Sequence, residues 1–425
     1  MLSSFCKCFR KFTKTKLCQV GSLVQKSEFD TPTDIITHCP SIETRFPYHL
    51  DAFLYEHPPD PDQAVQCHNK FRQIMHDITG ARVWTVREIL SQFSPPDLRK
   101  FLINFSTIDF FISPGKQPEE YRHKQKIEYI DYSLSNLSVN DLIDLILLHP
   151  KVFIDVGEST TFSYDKIPLS PLANLTFTRD QQITTAKGVV IGRFGALQRK
   201  PENDLMSAVW PQLGVNPIGR IQNPGTLEGG DFIILGEDIA MLGVGLRTNF
   251  DAAYQLMKND YLGTNRFIVV EDIRDINQQR MHLDTYFNVL ERDFCVCVDK
   301  IAEDDPNYVR IAHEYVRDEE KAAHCKDSIG HYIEVSTTPF GEWLRKEKFT
   351  VVKATFEQQE GYFLNLLHLG KKNGKSRVLA INPEVESVCR EHGFEGEVTY
   401  LDFSPITSMY GGVHCASQCL RKAVV

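Results

Sequence analysis

The sequence has no uninterrupted apolar run of roughly eighteen residues, so it encodes no membrane-spanning helix. Its N-terminus lacks a continuous apolar core and a small-residue cleavage site, which excludes a secretory signal peptide. Basic charge is also scarce: 47 Lys and Arg stand against 56 Asp and Glu, a net charge of −9. That deficit excludes a general nucleic-acid binder, whose phosphate contacts need clustered cations. It would attract a cationic substrate. The cysteines are an odd, scattered set of 11, which reads as reduced thiols and not as a disulfide framework. No His-Glu-x-x-His or Cys-x-x-Cys spacing accompanies them, so a dedicated zinc site has little support. Low-complexity blocks, fixed-period repeats and internal Gly/Ser linkers are absent as well.

What is present begins with a basic N-terminal stretch. Lys7, Arg10, Lys11, Lys14, Lys16 and Lys26 occur with no acid before Glu28. This is the composition of an organelle-targeting presequence, and equally that of a disordered basic tail. Acylation of Cys6, Cys8 or Cys18 ranks third, and myristoylation is excluded because position 2 is not glycine. The expected location is the cytoplasm, with a mitochondrion-like organelle as the alternative. Residues 1–30 are accordingly set apart as a tail, and residues 31–425 as the folded unit.

Beyond the tail, Asp34-Ile35-Ile36-Thr37-His38 reads as a strand. Ala64, Val65, Phe71, Ile74, Met75 and Ile78 form a helical stripe that Gly80 ends, and Arg82-Val83-Trp84-Thr85-Val86 reads as the next strand. Residues 87–149 read as wholly helical, with Pro95 and Asn140-Asp141 marking helix starts and Pro150 a stop. After position 150, short β-rich runs such as Val189-Val190-Ile191 and Phe267-Ile268-Val269-Val270 alternate with turns and amphipathic helices. The chain is α/β with a helical insertion.

Four short segments carry chemistry. Phe177-Thr178-Arg179-Asp180 sets a carboxylate beside a cation, which alone is most often a structural ion pair. In Glu228-Gly229-Gly230-Asp231 the paired glycines let backbone approach a ligand closely; a plain strand-entry turn explains that motif as well. His282-Leu283-Asp284, taken as extended, points both polar side chains to one side, although a lone His is more often packed or solvated. Cys415, in Tyr410-Gly411-Gly412-Val413-His414-Cys415, is the likeliest nucleophile by type. Its glycines and polar neighbours predict an exposed, functional thiol. Cys295 and Cys297, two apart in a buried strand, are structural thiols. A thiol, a base and several carboxylates suit attack on a planar cationic carbon such as a guanidinium.

The order and spacing of these segments resemble the arginine deiminase family of the guanidino-group-modifying (pentein) superfamily. The resemblance runs from about Thr33 to the C-terminus. It rests on the run from Pro171 to Asp180, on Glu228-Gly229-Gly230-Asp231 with Gly245-Leu246-Arg247, on Met281-His282-Leu283-Asp284-Thr285, and on Gly411-Gly412-Val413-His414-Cys415. It implies a five-bladed α/β propeller (the pentein fold) of repeated ββαβ-like units, with residues 87–149 as an inserted helical module. It also implies a homo-oligomer.

The resemblance further implies a hydrolase that converts free L-arginine to L-citrulline and ammonia with no metal or organic cofactor. Cys415 would attack the guanidinium carbon to give a covalent amidino-thioether. His282 would protonate the leaving ammonia and then activate water. Asp180 and Asp284 would hold the guanidinium nitrogens, and Glu228 would pair with His282. Asn174, Phe177, Arg199 and Arg247 match positions that bind the substrate's other pole or wall the pocket. Tyr410 departs from the family pattern, which places a carboxylate-anchoring Arg there. Loss of one charged partner costs about 1.5–3 kcal/mol, roughly tenfold to a hundredfold in affinity. Tyr410 therefore keeps open the same chemistry on agmatine, a methylated arginine, or a dihydrolase reaction giving ornithine. A non-catalytic arginine sensor is the alternative of a different class.

Overall fold

The computed structural model describes residues 23–45, 50–111, 118–155, 169–236, 238–275 and 277–422. The targeting and acylation readings of the basic stretch fall largely on residues 1–22 and so lie outside the described residues. No helix among the described residues is long and apolar enough to cross a membrane. All the described cysteines are free thiols.

Five sheets share one construction: an antiparallel pair of strands, a helical crossover, and a third strand parallel to the second. Gln182–Thr184 and Val189–Ile191 pair antiparallel, and Gly219–Arg220 joins the latter in parallel. Phe232–Gly236, Ile239–Val244 and Arg266–Asp272 repeat the pattern. So do Phe287–Glu291, Phe294–Val298 and Thr350–Ala354, and Leu367–Lys372, Lys375–Ala380 and Glu397–Tyr400. The fifth unit spans the chain ends: Gln418–Lys422 pairs antiparallel with Asp34–Thr37, which pairs in parallel with Arg82–Thr85. Two further strands, Arg310–Arg317 and Tyr332–Pro339, extend the Phe232 sheet.

Several strands are buried on both faces. Phe294–Val298 is buried throughout, and Cys295 and Cys297 sit within it with no exposure. The crossover helices have legible ends. Pro61–Thr79 starts at Asp60, whose carboxylate accepts from the Asp62 and Gln63 amides, and stops at Gly80 with φ 70°. Its stripe of Ala64, Phe71 and Met75 is buried.

The helical module differs from expectation in two places. Its helices are Val86–Leu90, Pro95–Phe105, Glu119–Ser133 and Val139–Leu148. Between the second and third, Thr107–Phe111 is a strand that pairs in parallel with Lys151–Asp155, so the insertion is not wholly helical. Thr-Ile-Asp-Phe-Phe is β-branched and aromatic, a strand composition that the surrounding helical periodicity masks. The last helix begins earlier than Asn140. Ser138 caps it, and Asp141 returns a bond to the Ser138 amide.

The packed chain also begins before residue 31. Leu23–Val24 pairs antiparallel with the C-terminal strand, and Glu28 is buried at 3% exposure. Residues 23–30 therefore belong to the folded unit.

Candidate active site

Cys415 lies three residues before the strand Gln418–Lys422, at the end of a turn that only glycine permits. A Cβ on Gly411 would lie 2.3 Å from the Phe177 ring, and one on Gly412 would lie 2.3 Å from Asn365 Oδ1. These glycines serve close approach and not flexibility. The thiol is correspondingly buried, at 7% exposure, contrary to the exposed setting that its neighbours predict. Asn365 Nδ2 donates to its Sγ at 3.1 Å, and Asp284 Oδ2 lies 3.6 Å from the sulfur. Burial, then the charges of Asp284 and Asp180, push the thiol pKa well above its ordinary value. Cys415 is a neutral thiol until those charges are offset.

His282 does not sit in an extended strand. It precedes the one-turn helix Leu283–Tyr286, because the Leu283 amide donates to Asp231 Oδ1 at 2.9 Å and the Thr285 hydroxyl donates to the His282 carbonyl at 2.6 Å. The turn still brings both polar side chains to one place. A Cβ on Gly230 would lie 2.7 Å from His282 Nδ1 and 3.2 Å from Asp284 Oδ1. One on Gly229 would lie 1.9 Å from the Arg179 carbonyl oxygen. The paired glycines are thus the crossing point at which the Arg179-Asp180, Glu228 and His282 segments meet.

His282 Nε2 and Glu228 Oε2 are 2.9 Å apart, both buried. Burial alone would lower the His282 pKa. The Asp231 charge, the Glu228 hydrogen bond and the charges of Asp180 and Glu228 outweigh it and raise the value to about 10. Burial would likewise raise Glu228, but the His282 hydrogen bond and charge, with Arg247 and Arg199, hold it below the usual range. The two form an ion pair. Asp231 is raised to about 7 by burial. For Asp284, burial is outweighed by His414, whose Nδ1 lies 2.7 Å from Asp284 Oδ2, and the carboxyl stays low.

One oxygen on each of three carboxylates has no hydrogen-bond partner: Asp180 Oδ1, Glu228 Oε1 and Asp284 Oδ1, all buried. Asp180, Glu228 and His282 also offer ligand atoms within 4.8 Å of one another, a set a cation would suit. Arg199 already donates to Asp180 there, and a planar cation with several N–H groups suits the same oxygens.

The residues matched to the substrate's far pole divide. Tyr410, at φ 77°, lines a small cleft with Cys415, together with Met281, Gln359, Glu360 and Tyr362. Phe177 packs beneath it at Gly411. Arg247 Nη1 stands 4.0 Å from Glu228 Oε1. Arg199 is held in the core: it donates to Asp180 at 2.8 Å, to Glu202 at 2.9 Å and to the Asn174 carbonyl at 3.3 Å, and stacks on Phe194 at 4.2 Å. The Asn174 side chain donates to the Phe53 carbonyl at 2.7 Å. Asn365 carries no sequence signal, yet it touches the thiol and accepts from the His414 amide at 2.9 Å. His414, Asp231 and Arg179 lie inside the sequence segments, but their contacts need the folded chain to be seen.

The family model for arginine deiminase matches residues 51–422. The arginine deiminase of Staphylococcus epidermidis is 24% identical over 405 residues, covering 90% of this chain and 93% of that protein. That of Mycoplasma capricolum is 26% identical over 285 residues, covering 63% of this chain and 66% of its own. Among solved structures, the amidinotransferase SxtG of Microseira wollei superposes with a TM-score of 0.53 at 11% identity, covering 95% of this chain and 98% of its own. Pseudomonas aeruginosa DDAH in complex with citrulline gives 0.50 at 15% identity, covering 92% and 99%. These structures share the mixed α/β fold. With a match across most of its length and the thiol, imidazole and carboxylates gathered at one buried point, the chain belongs to the arginine deiminase family.

Proposed function

We propose that the protein hydrolyses the guanidinium group of free L-arginine to give L-citrulline and ammonia. The observation that carries this reading is the cluster of three buried carboxylates, each with an oxygen that has no hydrogen-bond partner, beside a buried thiol. Unpaired buried acceptors are costly, and a guanidinium supplies both the charge and the N–H donors that satisfy them.

Binding of the cation offsets Asp284 and Asp180, the charges that hold Cys415 protonated, so the thiol releases its proton to solvent and the thiolate attacks the guanidinium carbon. Asp180 and Asp284 accept from the substrate nitrogens and fix the plane of attack. His282, charged in the free protein, gives its proton to the departing ammonia and leaves an amidino-thioether on Cys415. The now neutral His282 takes a proton from water, which adds to the same carbon. Collapse returns the thiolate and releases citrulline. Glu228 keeps His282 oriented and stabilises its charged form.

The five repeated units support a five-bladed propeller with this site at its centre, residues 23–422 as one catalytic unit and residues 87–149 as its insertion. The family resemblance supports a homo-oligomer, which sedimentation would test. A second reading keeps the chemistry and changes the substrate. Tyr410 and Glu360 line the cleft and Arg199 is committed to the core, a setting that favours guanidines without a carboxylate, such as agmatine. The experiment is to incubate the protein separately with L-arginine, agmatine and dimethylarginine. Citrulline, ornithine and ammonia are then quantified, with Cys415→Ala as blank. Citrulline and ammonia from arginine alone support the first reading. Turnover of another guanidine alone supports the second, ornithine a dihydrolase, and silence on all three a sensor.

A further inference from the structure

Residues 23–30 lie outside the family match, which begins at residue 51, yet they pack directly behind the nucleophile. Leu23–Val24 covers the strand Gln418–Lys422 on the edge opposite Asp34–Thr37. That strand starts three residues after Cys415 and is held from both sides. The Gln25 amide donates to the Thr185 carbonyl at 2.9 Å, and the Glu28 amide to the Ile234 carbonyl at 3.0 Å. Arg421 donates to the Glu28 carbonyl at 2.8 Å and the Asp30 carbonyl at 2.5 Å.

The side chain of Glu28 points inward. Gln25 Nε2 donates to its Oε1 at 2.5 Å, and the same oxygen lies 3.8 Å from Arg179 Nη1. Arg179 in turn grips the nucleophile segment. Its Nε donates to the His414 carbonyl at 3.2 Å, and its amide to the Cys415 carbonyl at 3.0 Å. Both partners are buried, at 3% exposure each, and Arg179 Nη2 has no partner. Among the described residues Glu28 is the one carboxylate within 4.0 Å of this guanidinium. A buried cation with a single counter-charge is placed by that charge. Arg179 bridges that charge to the backbone at 414, where Asn365 and Ser417 also bond.

We propose that Glu28 is a positioning residue for Cys415, acting through Arg179, and that residues 23–30 form a strap that completes the catalytic unit. The proposal rests on Cys415 being the nucleophile of the function proposed above. Without Glu28 the guanidinium is free to turn toward the carboxylates of the site, and the His414 carbonyl loses its Arg179 Nε donor, keeping only the Ser417 hydroxyl at 3.3 Å among the described side chains. Displacement of a nucleophile by a fraction of an ångström lowers turnover while leaving the substrate's own contacts intact.

The test is a double-mutant cycle in the full chain: wild type, Glu28→Gln, Arg179→Gln and both. It is read as kcat and KM for L-arginine and as the iodoacetamide alkylation rate of the Cys415 peptide by mass spectrometry. Glu28→Gln is expected to lower kcat about tenfold or more, move KM less than about threefold and change the alkylation rate at least about threefold. In the Arg179→Gln background it should add nothing further. Equal effects in both backgrounds, or unchanged kcat and alkylation in Glu28→Gln, overturn the proposal. Should a variant of the cycle fail to fold by circular dichroism, Gln25→Ala replaces it, removing the 2.5 Å bond while keeping both charges. A fall in kcat of about twofold to fivefold supports the proposal, and no change overturns it. If wild type turns over no guanidine, the alkylation arm alone decides the positioning of Cys415, separately from the activity.

Discussion

The buried cluster at Cys415, the floor, and the cleft that Cys415 lines, the mouth, follow opposite rules. On the floor, Cys415, His282, Glu228, Asp180 and Asp284 are all buried, their separations are set by glycines that admit no side chain, and three carboxylate oxygens stay unpaired. At the mouth, Tyr410, Gln359, Glu360 and Tyr362 are larger and polar, and the cations matched to this pole are committed elsewhere: Arg199 to the core, Arg247 beside Glu228. A reaction that needs a cationic carbon against a thiol fixes the floor tightly. Selection among substrates tolerates change at the mouth. On the proposed function, the floor would decide which bond is broken, and the mouth how well a given guanidine is held.

The sharpest way to break that division is at the nucleophile. Cys415→Ala should lower turnover by about 10⁴-fold or more while substrate still binds; calorimetric titration with arginine and a citrulline assay check both halves. Residual turnover near wild type would remove Cys415 from its role. Next in size, Gly230→Ala should lower kcat about a hundredfold and lower the melting temperature by a few degrees. The new methyl would stand 2.7 Å from His282 Nδ1, on a backbone that alanine can adopt. An active Gly230→Ala would show that the imidazole position is loose.

At the mouth, Tyr410→Arg should leave kcat within about threefold and lower KM for arginine by roughly tenfold to a hundredfold. An unchanged KM would mean that position 410 does not meet the substrate carboxylate. The smallest effect concerns stability. The folded His282 value of about 10 lies above its ordinary 6.5. Its contribution is therefore fully present below pH 6.5 and is lost as pH rises through about 10. The gap in urea midpoint between wild type and Glu228→Gln should narrow from about pH 6 to about pH 10. A constant gap would show that His282 is neutral in the folded protein.

The motifs at 177–180, 228–231, 282–284 and 411–415 are legible because each sits in a few consecutive residues whose types the chemistry restricts. Their partners are not. Asn365 reaches Cys415 across 50 positions and His414 reaches Asp284 across 130, and nothing local marks either pair. The five units escape residue-level repeat searching because they share strand order and not side chains. The strand Thr107–Phe111 was hidden by helices on both sides.

The sequence by itself determined the class of chemistry, the α/β alternation and the helix end at Gly80. All of these follow from residue type and local spacing. Only the tertiary structure decided that the thiol is buried and that Gly229 and Gly230 are a crossing point. It also decided that Arg199 serves the core, and that residues 23–30 close onto the back of the nucleophile. Burial, close approach and ion pairing are properties of segments distant in the chain. They exist only once the five sheets bring those segments together.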